Sequence, residues 1–199
     1  MSIQELIQKN QHRWDNMHVL AGRLPALHSI AIRLCAEAAW TRYVKISAAT
    51  QVPPWVIAVI HEREASQSFT NQLGQGDPLS RVSTHDPIGR GPFFNHTSDP
   101  PGEDAFYRGA VDALVDCAPH ASKWVDWTGG GTCTLLEEYN GLGYAAMGVP
   151  SAYVWSGSDQ YQSGKYIADH VYRSGVVDVQ EGCAPLLHLM QLLRPEIKF

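Results

Sequence analysis

Val52-Pro53-Pro54-Trp55-Val56-Ile57-Ala58-Val59-Ile60-His61-Glu62-Arg63-Glu64-Ala65-Ser66 carries the pattern from which the rest of the chain can be read. Two prolines suit the first turn of a helix, where a missing N–H loses no partner. An apolar run from Val56 to Ile60 then leads straight into His61-Glu62-Arg63-Glu64. A short helix that is apolar on every side is buried on most faces. Its last turn therefore holds two carboxylates where a core meets a cleft. At helical spacing Glu64 stacks over Ile57 and Ile60, whereas Glu62 continues the side of Trp55 and Val59. A carboxyl group set against aliphatic and aromatic carbon resists ionisation, which moves it toward the range useful to a general acid. The competing reading is a solvated helix end in which Arg63 neutralises one carboxylate.

Upstream, residues 2 to 21 read as an amphipathic helix through Ile3, Leu6, Ile7, Trp14, Met17 and Leu20, with Gly22 just past its end. Pro25 to about Ile46 reads as a second, longer helix whose Ala36 to Ala39 patch suits close packing. Downstream, Asn71 to Gly102 is dense in Gly, Pro, Asp, Ser and His. Long structureless loops are uncommon in compact domains without a use, so this stretch reads as a substrate-facing lobe with one short hairpin. Its polar turns make Asp77 and His85 candidate substrate contacts. Glu103 to Ala118 and Ser122 to Trp127 read as helices, Gly129-Gly130-Gly131-Thr132 as a break, and Cys133 to about Asn140 as the next helix, capped by Thr132. Met147 to Ser163 is aromatic and loop-like. There Tyr153 and Trp155 are candidates to stack on sugar faces, or to pad a mixed surface. Cys183 to Leu193 is an apolar helix that closes the core.

Several chemistries fail on spacing. His61-Glu62 begins like a zinc protease motif, but position 65 is Ala, so H-E-x-x-H is broken. No G-x-S-x-G elbow occurs. The glycine triplet lacks the Gly-Lys-Ser/Thr of a phosphate loop. No metal ion or other cofactor is expected.

The segment Ile57 to Ser66 resembles the catalytic helix of the lysozyme-like superfamily, especially goose-type lysozymes and lytic transglycosylases. In those families an apolar helix ends on the single glutamate that protonates the glycosidic oxygen. The resemblance puts that glutamate at Glu64, with Glu62 as runner-up because the serine that normally follows is displaced to Ser66. Glu138-Tyr139-Asn140-Gly141-Leu142-Gly143-Tyr144 resembles the Y-N-x-G segment that lines the sugar groove, which implies that Tyr139 and Asn140 orient the substrate. The order and separation of the two segments are those of the superfamily. From about Trp40 to Leu189 the chain also resembles a group of bacterial and phage lysozyme-like proteins carrying H-E-R-E, G-D-P-L, Y-N-G-x-G-Y and G-K-Y-x-A-D in this order. The resemblance implies a mainly α, α+β lysozyme-like fold around a buried catalytic helix, with a small irregular or β lobe at about 71–102. The G-x-M-Q signature of these relatives is absent. A hydrolase needs a second carboxylate, for which Asp77, Asp86, Glu62, Glu137 and Asp159 are candidates. A transglycosylase needs none, because the sugar's own C6 hydroxyl ends the reaction.

Composition bounds the rest. With 199 residues, 44% apolar and 18% charged, the chain is long enough for one domain with a core, and nothing argues for disorder. A net charge of −5 leaves no basic footprint for nucleic acid, so an anionic glycan would have to meet local clusters such as Arg81, Arg90 and Arg108. No segment has the length of a membrane span, and Met1 to Glu5 lacks the features of a signal peptide. The expectation is a monomer made in a host cytoplasm, acting on bacterial peptidoglycan strands in the periplasm or wall after release by a holin-type membrane-permeabilising partner, or carried on a virion. Cys35, Cys117, Cys133 and Cys183 read as isolated thiols, with a Cys133–Cys183 disulfide as the alternative outside a reducing compartment.

Overall fold

The computed structural model describes residues 1–168 and 170–199. Helices run over Ile3–Asn16 (α1), Leu24–Cys35 (α2), Glu37–Thr50 (α3), Pro54–Ala65 (α4), Ala105–Val111 (α5), Gly129–Tyr139 (α6), Gly143–Met147 (α7), Ala152–Trp155 (α8) and Cys183–Leu193 (α9). Lys165–Ala168 (β1) and Val171–Arg173 (β2) pair antiparallel, with Lys165 opposite Arg173 and Tyr166 opposite Tyr172. The protein is mainly helical. Asp169, the last residue of the G-K-Y-x-A-D segment, lies outside the described residues. The chain gathers into two compact units, Met1–Arg33 with Asp126–Phe199, and Leu34–Val125.

In the unit Leu34–Val125, α3 packs on α4 and α5. Extended Pro53 caps α4, and Pro54 opens it. Every residue from Val56 to Glu62 is buried, as the unbroken apolar run requires. The long helix read from Pro25 to Ile46 is instead two, because Ala36 adopts an extended conformation (φ −61°, ψ 139°) and caps α3. Nothing in the side chains of an alanine-rich patch marks such a break. The stretch 71–102 is irregular. Among the described residues it holds an isolated bridge, Asn71 to Pro78, and no strand, so neither the hairpin nor a β lobe forms there. What orders it is polar stapling around buried Leu73 and Leu79. Arg42 of α3 pairs with Asp104, Lys45 with Glu103 at 3.2 Å, Arg90 with Asp112, and Arg108 with Asp99 at 2.8 Å. The helix read over Glu103–Ala118 is α5, continued by a π-helical turn at Asp112–Asp116. The helix read over Ser122–Trp127 shrinks to a 3₁₀ turn at Ala121–Lys123.

In the other unit, α1 lies on α6. The glycine triplet does not break the chain; it is the first turn of α6, capped by Thr128, whose hydroxyl accepts from the Gly131 N–H at 3.1 Å. The reason for glycine is steric. A Cβ on Gly129 would strike the Trp14 ring, and one on Gly130 would come within 2.6 Å of the Ile7 carbonyl. The triplet is thus the socket for α1, a role that pattern reading mistook for punctuation. The loop-like reading of Met147–Ser163 is also corrected, since α8 lies inside it and packs against α6 and α9. Tyr144 stands edge-on to Tyr166 (5.1 Å, 89°) and Tyr172 (6.0 Å, 83°). The Y-N-G-x-G-Y segment is thereby tied to the β1–β2 hairpin. No helix among the described residues is long and apolar enough to cross a membrane.

Candidate functional site

The carboxylates of α4 end up in different environments. Glu62 is 7% exposed, and the Gln67 amide donates to its Oε2 at 2.6 Å. Gln67 reaches back because Ser66 and Gln67 both take the left-handed conformation (φ 48° and 65°), which folds the chain over the helix end. The Ser66 N–H donates to the Glu62 carbonyl (3.0 Å) and the Gln67 N–H to the His61 carbonyl (3.2 Å). Two successive non-glycine residues in this conformation are costly, and such outliers collect at functional sites. Glu64, two residues on, is only half-buried. The spacing argument placed both carboxylates at a core boundary; packing makes Glu62 the enclosed one and Glu64 the one that solvent or a ligand can reach.

Behind Glu62 sits a buried polar pair. The Tyr43 hydroxyl lies 2.9 Å from His61 Nδ1, inside a nest formed by the rings of Phe69 and Phe106, both 4.6 Å from the imidazole. Burial drives His61 down to about 4, only partly offset by the Ser68 carbonyl, so the ring is neutral in the fold. Burial, and next the nearby Glu62 charge, push the Tyr43 phenol upward. Tyr43 and Gln67 were not legible as site residues, since neither belongs to a motif. Their position facing the helix end is the signal, and it exists only in three dimensions.

The G-D-P-L segment closes on the same helix end. Gly76 (φ 74°) abuts the Glu64 carbonyl so closely that a Cβ there would collide with it. The next residue, Asp77, organises the loop: its Oδ2 accepts from the Thr84 and His85 N–H groups (2.7 and 3.2 Å), and its Oδ1 lies 2.9 Å from His85 Nδ1. Glu62, Glu64, Asp77 and His85 therefore belong to one unit, and two of their motifs touch through Gly76 and Glu64. Asp86 is exposed on the same loop. The arginines read as a local cluster for an anionic glycan are spoken for in two cases, since Arg90 and Arg108 hold Asp112 and Asp99.

The remaining candidates belong to the other unit. Tyr139 is half-buried at the last turn of α6, and Asn140 is its exposed C-cap. Tyr153 and Trp155 are 4% and 0% exposed. Both rings are core and present no face on which a sugar could stack, because the short α8 turns them inward. Asp159 binds His18 at the surface. Glu137, 2% exposed on α6, has at most loose hydrogen-bond contact with Trp155 and Asn10. Burial pushes it up to about 7; the Arg13 charge, and the Trp155 and Asn10 groups leaning toward it, offset only part of that. It is a sealed acid, closed to any substrate in this packing. An open groove of about 590 Å³ runs along α1 beside Glu5, Lys9 and Arg13 and contains none of the candidates. Among the described residues no three His, Cys, Asp or Glu side chains gather to hold a metal ion, and none of the four cysteines is in a disulfide.

Compared with protein-family models, with curated proteins and with solved structures, the chain matches none.

Proposed function

We propose that this chain is a peptidoglycan-degrading glycosidase, a muramidase or lytic transglycosylase that cleaves the MurNAc–GlcNAc strand, with Glu64 as the general acid. One observation supports this reading above the others: a helix buried from Val56 to Glu62 ends on a half-buried carboxylate beside a long polar loop. An acid must touch both a carbon-rich wall, which favours its protonated form, and the leaving oxygen. Glu64 stands half-buried at the end of the apolar helix and keeps a side open to a ligand, whereas Glu62 is enclosed. In a bound complex the Glu64 proton passes to the glycosidic oxygen as the bond to the anomeric carbon breaks. Tyr139 and Asn140 are the substrate-orienting residues of this proposal, by resemblance of their segment to the sugar-groove motif. A phage or prophage endolysin freed by a holin-type partner is the biological setting that best fits the sequence, and a virion-borne lysozyme is the second.

The test is mass analysis of fragments released from purified peptidoglycan by the wild type, Glu64→Gln and Glu62→Gln. The reading expects cleavage by the wild type and cleavage lowered by about 10²–10⁴-fold in Glu64→Gln. Anhydro-muramyl ends would mean a transglycosylase, reducing ends a hydrolase. Loss of cleavage only in Glu62→Gln would move the acid two residues. A wild type that binds the glycan without cutting it would mean a non-catalytic wall-binding or phage structural module.

A further inference from the structure

Two aspartate–histidine pairs stand with their side chains at hydrogen-bond distance among the described residues. In the first, His18 Nδ1 lies 3.0 Å from Asp159 Oδ2, and both side chains are open to solvent, 83% and 39% exposed. That pair clips a turn onto the segment after α1, where Val19 bridges Ser158 and the Asp159 N–H donates to the His18 carbonyl at 3.0 Å. Its structural task accounts for it.

The second pair, Asp77 and His85, is built differently. The Asp77 side chain is 13% exposed while that of His85 is 64% exposed, so a sunken carboxylate holds a protruding imidazole. Burial alone would raise the Asp77 carboxyl, but the N–H groups of Thr84 and His85 outweigh it and hold the group below the usual carboxylate range. An ionised carboxylate on Nδ1 selects the tautomer with its proton there, which leaves Nε2 as the basic nitrogen of an exposed ring. The pair is also anchored to the proposed acid, because Gly76, the residue before Asp77, abuts the Glu64 carbonyl. The other ionisable groups on this stretch are Arg81, Asp86, Arg90, His96 and Asp99, with Arg90 held by Asp112 and Asp99 by Arg108; those on α4 are His61, Glu62, Arg63 and Glu64.

We propose that His85 is the general base of the glycan cleavage and Asp77 its positioning residue; the inference rests on the glycosidase reading above. A neutral imidazole can accept a proton from water, and it can fill the place of the second carboxylate that the sequence does not identify. In the step, water attacks the anomeric carbon from the face opposite the leaving sugar. His85 Nε2 takes one proton of that water. The carbon–oxygen bond to the leaving sugar breaks, its electron pair goes to the oxygen, and that oxygen receives the Glu64 proton. The products are a hemiacetal of inverted configuration, a free hydroxyl, a Glu64 carboxylate and a His85 imidazolium; proton exchange with solvent restores both groups.

The test uses the full chain on purified peptidoglycan from pH 5 to 8, with Glu64→Gln, His85→Gln and Asp77→Asn, and proton NMR of the first anomer released. His85→Gln should fold as the wild type, because the side chain is exposed. Its kcat should fall by about 10²–10³-fold with KM changed less than about threefold, and the acid limb of the pH–rate profile should vanish. Asp77→Asn should lower kcat by about tenfold and move the acid limb to lower pH, because the imidazolium loses its neighbouring anion. The wild type should release the inverted anomer. An unchanged rate and profile in His85→Gln beside an inactive Glu64→Gln, or a retained anomer, would overturn the base assignment and leave the glycosidase reading standing. A wild type that cuts no glycan at any pH would overturn both.

Discussion

Two helices of this protein end in glutamates, and their fates differ. On α4 the buried Glu62 receives a hydrogen bond from Gln67, and Glu64 emerges beside the G-D-P-L loop. On α6 the buried Glu137 is sealed in among Arg13, Asn10 and Trp155. Burial perturbs both neighbourhoods, but it seals Glu137, while Glu64 on α4 and the neighbouring Glu138 on α6 stay half-buried, Glu138 with its carboxyl raised by burial. A displaced pKa therefore identifies a site only together with access. By the measure of perturbation Glu137 would be the stronger candidate; by geometry Glu64 is.

The sharpest break of this comparison is in activity. Glu64→Gln should lower glycan cleavage by about 10²–10⁴-fold, the usual share of a positioned acid. Glu137→Gln should leave cleavage within about twofold of wild type when both are compared at a pH where they are folded. A reversal of the two results, read in the same fragment-release assay, would transfer the acid to α6.

The second contrast lies in stability against pH. Glu137 binds its proton more tightly in the fold (about 7) than its ordinary value of 4.5, so its contribution is full below about 4.5 and is lost as pH rises to 7. His61, lowered to about 4 from 6.5, contributes fully above 6.5 and loses that contribution as pH falls toward 4. Each shift corresponds to something on the order of 3 kcal/mol, with opposite sign. In the wild type the two slopes oppose each other between about pH 4.5 and 6.5. Glu137→Gln should make stability rise with pH in that window, and His61→Phe should make it fall. Thermal unfolding at half-unit pH steps reads both. Parallel profiles for the two variants would remove this account of the buried groups.

Smaller effects probe close approach. Gly130→Ala drives a methyl toward the Ile7 carbonyl and should cost about 1–3 kcal/mol, seen as a lowered Tm with loss of α1 protection in hydrogen exchange. Gly76→Ala combines a positive φ with a clash at the Glu64 carbonyl, for about 2 kcal/mol, and should depress cleavage further than the stability loss explains. The smallest expected change is Arg108→Gln, about 1 kcal/mol or less, because its ion pair with Asp99 is partly exposed. A larger loss would mean that the irregular stretch depends on each staple singly.

What was legible before folding was periodicity and punctuation. The proline start and all-round burial of α4, the extent of α9 from Cys183 to Leu193, the mainly helical class and the irregular stretch after α4 follow from local rules of helix entry, hydrophobic pattern and turn composition. These rules act within a few residues, so a linear reading can apply them. Tertiary packing decided the rest. Only it turned Gly129-Gly130-Gly131 from a break into a socket, because the reason is the ring of Trp14, distant in sequence. Only it buried Tyr153 and Trp155, since an aromatic ring has the same composition whether it faces sugar or core. It set Gln67 against Glu62, Tyr43 against His61 and Asp77 beneath His85, pairs whose partners share no motif. Solvent access is a property of what lies on top of a group, and the chain carries no local record of that.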